Sequence, residues 1–220
     1  MDRVLASLVI IAGTIVPSGA IALELTPRPA GQRTFPGSQY PVIFYAVDLT
    51  KERFDKVFSI TLVDDGTPTG GGGGIASGFD LDAIVLDRDG DPRTLDDQVR
   101  PSRFTFRAGT TRPTSNPYLR PTPERPGPVF GALDATTIDL ELATLGVFDA
   151  RNAAPDFARN GFGALTLGDG GRLTAFFEGG VAVGKGLFVV FGELGGQPGE
   201  GLGAAITASD VEAGLGSIQR

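Results

Sequence analysis

Apolar residues in this chain come in short runs, each closed by glycine, proline or an Asp-Gly pair, and almost none follows the 3.6-residue period of an amphipathic helix. PVIFYAVDL (41–49), FSITLVDDG (58–66), SRFTFRAG (102–109) and AAITAS (204–209) read as strands. In GLFVVFGE (186–193) the run from Leu187 to Phe191 is apolar on both faces, as a central buried strand would be. TTIDLELATLGVFDA (136–150) alternates Ile138, Leu140 and Leu142 against Thr137, Asp139 and Glu141, which predicts a further strand. ALTL, GDGG and RLTAFF (164–177) predict a hairpin whose glycines supply positive φ at the reversal. Together these segments predict an all-β fold: a two-layer antiparallel β-sandwich, jelly-roll-like.

Between the runs lie three irregular stretches. Residues 23–39 carry Pro27, Pro29, Pro36 and Gly37 and are expected to form an extended lead-in. Residues 64–78 contain five consecutive glycines, 70–74, and predict a flexible loop. Eight of the 16 prolines fall between Pro92 and Pro128, which places a long surface loop over 108–128.

The amino terminus has its own pattern. Arg3 precedes an apolar run from Val4 to Val16, then Pro17, Ser18, Gly19 and small residues at Ala20 and Ala22. That is the layout of a secretory signal peptide, so residues 1–22 are expected to be cleaved and 23–220 to form one domain in the periplasm or outside the cell. The run is shorter than the roughly 20 residues a permanent span needs, so no transmembrane anchor is expected after cleavage. Without cysteine, such a domain relies on its core, on ions or on association. A net charge of −7 disfavours nucleic acid and anionic membrane as partners and favours a cation.

Lack of histidine and cysteine also excludes Ser-His-Asp and Cys-His machinery and the usual nitrogen and sulfur sites for zinc, copper or iron. GGVAVGKG (179–186) approximates a phosphate-binding loop, but Gly186 stands where the Mg²⁺-binding Ser or Thr belongs and a strand follows, so a glycine-rich hairpin turn is expected. Paired carboxylates are the remaining catalytic option, with Glu141, Glu178, Glu193 and Glu200 as candidates for a polysaccharide hydrolase. Against that, the chain has no tryptophan and three tyrosines to form a sugar platform.

GFDLDAIVL (78–86), LGVFDA (145–150), GFGALTLGDGGRLTAFF (161–177) and LFVVFGELGGQPGE (187–200), in that order, resemble a group of exported bacterial surface proteins of uncharacterised function. Many members carry a C-terminal sorting tail of the PEP-CTERM type. The resemblance implies an extracytoplasmic, sandwich-like module and supplies no catalytic residues. This chain ends ASDVEAGLGSIQR, without the Pro-Glu-Pro motif of such a tail, which puts membrane retention through it in doubt.

SGFDLDAIVLDRDGDPRTLDD (77–97) sets seven aspartates against two arginines. Asp80 and Asp82 are expected on one strand face together with Ile84 and Leu86, near the sandwich rim. Crowded carboxylates there repel unless a cation or backbone donors intervene. An oxygen-only donor set suits Ca²⁺, so Asp80, Asp82, Asp87, Asp89, Asp91 and Glu193 are the expected ligands, although no EF-hand spacing is met. The alternative is that these aspartates cap turns and loops. The expected function is a secreted, non-catalytic surface or matrix module that binds a glycan or cell-envelope component.

Overall fold

The computed structural model describes residues 22–52, 55–67, 71–94, 97–123, 127–150, 163–195 and 203–211. Residues 1–21 of the expected leader lie outside the described residues, as do Asp96 and Glu200. No described helix is long and apolar enough to cross a membrane.

The chain forms an all-β sandwich of two five-stranded antiparallel sheets. Its strands are β1 (Ala22–Leu25), β2 (Arg28–Arg33), β3 (Val42–Asp48), β4 (Lys56–Asp64), β5 (Gly71–Gly73), β6 (Ala76–Ser77), β7 (Asp80–Asp87), β8 (Arg103–Arg107), β9 (Leu165–Thr166), β10 (Arg172–Ala182), β11 (Phe188–Leu194) and β12 (Ala204–Ser209). The first sheet runs β1-β12-β4-β10-β8 and the second β2-β3-β11-β7-β9. Four pairings are nested about the middle of the chain: β1 with β12, β3 with β11, β4 with β10, and β7 with β9. That concentric order is the winding of a jelly roll.

Alternation along the strands builds the core. Ile60 and Leu62 of β4, Leu173, Ala175 and Phe177 of β10, and Ile206 of β12 face Ile43, Tyr45 and Val47 of β3, Leu81, Ile84 and Leu86 of β7, and Val189 and Phe191 of β11. A second apolar layer covers the other face of the second sheet, where Phe35, Phe148, Ala150 and Ala164 lie on Val42, Phe44, Ala83, Val85 and Val190. This covering explains why β11, flanked by β3 and β7, carries apolar residues on both faces.

Five local expectations are corrected. The lead-in contains β1 and β2; proline is tolerated in β2 because it is an edge strand, with a bulge between Pro29 and Gly31. The glycine run contributes a two-stranded ribbon, β5 with β6, anchored by the buried Ile75 against Leu119 and Phe130. TTIDLELATLGVFDA is no strand: Leu140–Ala143 (α1) is one helical turn whose Leu142 N–H donates to Asp139 Oδ1 at 3.2 Å. The buried residues of the segment are Ala143, Leu145, Phe148 and Ala150, all after the alternating stretch, while Leu140 is 57% exposed, so the alternation marked no buried face. Nor do β9 and β10 form a hairpin, because β9 joins β7 in one sheet and β10 joins β4 and β8 in the other. The GDGG segment is a corner between sheets, with Gly168 and Gly170 at positive φ. Of GGVAVGKG, residues 179–182 belong to β10, past its bulge after Phe176, and only 183–186 lie between β10 and β11, with positive φ at Gly184 and Gly186; because the two strands join different sheets, the segment is no hairpin turn.

Candidate metal centre

The Asp-rich stretch divides along β7 according to strand length. At about 3.3 Å per residue, Asp80 and Asp87 at its two ends stand about 23 Å apart, too far to share an ion. Asp87 closes the strand next to the buried Leu86, and the chain returns through a bridge in which Leu86 and Val99 exchange N–H···O bonds of 3.0 and 2.7 Å. This return brings Asp97 back to Asp87. One carboxylate oxygen from each of Asp87, Asp89 and Asp97 lies within 4.8 Å of the others. Oxygens about 2.4 Å from a common ion can be at most about 4.8 Å apart, so the three could share one metal ion.

The loop shapes itself with its own carboxylates. Asp87 Oδ1 accepts the backbone N–H groups of Asp89 at 3.0 Å and Gly90 at 2.6 Å. Gly90 is required because its φ is +74° and a Cβ would sit 3.0 Å from the ring of Phe188. Asp89 Oδ1 accepts from the Asp91 N–H at 2.8 Å, and the Thr94 hydroxyl lies 3.1 Å away. Two oxygens are left over: Asp87 Oδ2 and Asp97 Oδ1 are buried and have no hydrogen-bond partner. A fully buried carboxylate oxygen without a donor is costly unless it is protonated or meets a cation. Burial pushes Asp87 up to about 6, against the N–H bonds from Gly90 and Asp89. The hydrogen bond from the Asp91 backbone holds Asp89 below the usual range.

The other expected ligands stand elsewhere. Asp91 is committed to Arg93, whose Nε and Nη2 donate at 2.8 and 2.7 Å and hold the carboxyl down to about 2. Asp80 accepts the hydroxyl of Thr166, its cross-strand partner. Burial raises it to about 7, while Thr166 and the charge of Arg112 act in the opposite direction. Asp82, fully buried, accepts N–H groups from Asp149 at 3.1 Å and Ala150 at 2.8 Å. Its Oδ2 has no partner, and burial raises it to about 8. Glu193 Oε2 lies 3.4 Å from the Tyr45 hydroxyl.

The expected shared face of Asp80, Asp82, Ile84 and Leu86 is broken by a bulge. Phe191 pairs with Ile84 and Glu193 with Leu81, so Asp82 and Ala83 together oppose the single residue Gly192. Leu81, Ile84 and Leu86 therefore point between the sheets, and Ala83 and Val85 to the outer layer. Gly192 makes room here, since a Cβ on it would meet Val42 at 2.6 Å and Asp82 and Phe148 at 3.4 Å.

Among the described residues the structure thus gathers Asp87 and Asp89 of the expected set and adds Asp97. The return at Val99, an apolar residue after a polar loop, was the sequence signal for Asp97. No family model, no curated protein and no solved structure matches this chain.

Proposed function

We infer that this chain is an exported, non-catalytic β-sandwich module, stabilised by Ca²⁺ at the loop after β7, that binds a glycan or envelope component. The buried, unpartnered Asp87 Oδ2 beside Asp89 and Asp97 carries the metal part of this reading. Asp87, Asp89 and Asp97 would hold the ion with oxygen donors only, which suits a hard cation. A bound Ca²⁺ would supply charge compensation there and tie the loop to the end of β7. Export rests on the leader pattern of residues 1–22 and on the resemblance to surface proteins. A non-catalytic role rests on the lack of histidine and cysteine.

Melting curves in calcium and in chelator test the metal site. Calcium at about ten times Kd adds roughly 1.4 kcal/mol, a rise of about 3–5 °C for a chain of this size. Asp89→Asn with Asp97→Asn should abolish the rise. An identical melt of the wild type in both buffers would leave these aspartates as turn and cap residues. Incubation with polysaccharides tests the rest: product formation lost in Glu193→Gln or Glu178→Gln would favour a hydrolase.

A further inference from the structure

Among the described residues, nothing covers the outer face of the first sheet, and one end of it gathers arginines in a molecule of net negative charge. On the first sheet, Leu173, Ala175, Phe177 and Phe106 point to the core, so the alternate residues Arg172, Thr174 and Phe176 of β10 and Arg103, Thr105 and Arg107 of β8 point outward. Register aligns Thr207, Thr61, Thr174 and Thr105 directly across four adjacent strands. At about 4.8 Å per strand this row of hydroxyls spans about 14 Å. The hydroxyls of Thr61 and Thr174 are 2.9 Å apart, and all four residues are partly or fully exposed.

The arginines flank one end of that row. Arg107 lies opposite Arg172 in register, and the Arg103 guanidinium stacks 3.6 Å from the centroid of Phe176, which lies opposite it. Like charges directly opposite on neighbouring strands repel. Among the described residues, neither Arg107 nor Arg172 has a carboxylate within ion-pair distance. Acids border this array: Glu24 lies opposite Thr207 at the far end of the threonine row, Asp64 follows Val63, the register partner of Arg172, and Glu178 lies two residues past Phe176. A chain of net charge −7 therefore keeps three exposed guanidinium groups together beside a track of hydroxyls.

We propose that this outer face binds a carboxylated polysaccharide, a polymer of uronic-acid type, lying along the threonine row with carboxylates on Arg107, Arg172 and Arg103. Guanidinium groups pair with carboxylates through two parallel N–H···O bonds, and the anion relieves the Arg107–Arg172 repulsion. The threonines serve sugar hydroxyls as both donors and acceptors. This rests on the glycan-binding part of the function inferred above and names its ligand class; it is independent of the calcium site.

The test is titration of the full chain, at one calcium concentration too low to gel the polymer, with soluble oligogalacturonate, neutral dextran and single-stranded DNA. Oligogalacturonate should bind, weaken with added salt and exceed both controls. Arg107→Gln with Arg172→Gln should weaken it at least about tenfold without lowering Tm, since a repulsive pair is removed. Thr105→Val with Thr174→Val should weaken it by about three- to tenfold, a loss that persists at high salt. Unchanged binding in the arginine variant overturns the proposal while leaving the glycan module standing, as does binding of dextran alone. DNA binding as tight as that of oligogalacturonate overturns it in favour of a general polyanion patch. Failure to bind either sugar removes both this ligand and the glycan part of the function.

Discussion

Three aspartates of β7 owe their chemistry to burial, and Asp82 is the extreme case. Its donors, the N–H groups of Asp149 and Ala150, serve one oxygen and leave the other bare. The donor segment is itself held by Thr144, a β-branched residue at φ 42° whose hydroxyl bonds Asp149 Oδ1 at 2.7 Å. A left-handed conformation costs such a residue about 1–2 kcal/mol, which the surrounding bonds must offset. Because burial raises Asp82 from the ordinary 3.8 to about 8, it destabilises the fold in a definite pH window. Below about pH 4 both states hold the proton. As pH rises towards 8 the unfolded chain ionises first, so stability falls, and the loss is complete once pH passes about 8. Asp82→Asn, melted in chelator at pH 5 and pH 8.5, should show a smaller pH-dependent loss than wild type, by up to about 4 kcal/mol. Equal slopes would show that Asp82 ionises freely in the fold. The aspartates were legible in the sequence as a group that needed compensation. The reading that put Asp80 and Asp87 on one ion overlooked the strand rise that separates them, and the bulge opposite Gly192 could not be read at all, since it depends on how β11 pairs.

At the scale of elements, the corners do what the strands cannot. Gly78 and Gly168 bring the start of β7 against the segment after β9, with φ of +81° and +77°. A Cβ on Gly78 would stand 2.7 Å from the Gly168 carbonyl carbon and 2.9 Å from Asp64 Oδ2. That oxygen accepts the Phe79 N–H at 2.9 Å, and Oδ1 of the same residue accepts from Gly66 and Gly170. Gly170 provides an internal comparison: its φ is +76°, yet nothing lies within 4 Å of its Cβ position. Gly170→Ala should therefore lose only about 1–2 kcal/mol from backbone strain, whereas Gly78→Ala should lose more, about 3 kcal/mol or above, in urea denaturation. Equal losses would mean that the close approach at Gly78 relaxes freely. GDGG announced a reversal in the sequence, but whether a reversal stays within a sheet or crosses to the other is set by partners distant in the chain.

For the whole molecule, closure joins the two ends. β1 is an edge strand held by β12, with Leu25 4% exposed in the inter-sheet core and opposite Ile206. Leu25→Ala should cost about 2–4 kcal/mol in urea denaturation, as a buried Leu→Ala change does elsewhere. A loss under about 0.5 kcal/mol would show that β1 merely lies on the surface. The sequence by itself determined the class of fold, because period-two runs and glycine-rich turns are local properties that burial on a sheet enforces residue by residue. It determined that any metal site here would be made of oxygen, since the chain has no histidine or cysteine. Only the tertiary structure decided which carboxylates meet, which face of the second sheet is covered, and that four threonines align beside paired arginines. The carboxylates meet through the bridge of Leu86 with Val99, and the other two depend on register between strands more than 100 residues apart in sequence, such as Thr61 and Thr207; period-two pattern leaves such register open until the sheets are packed.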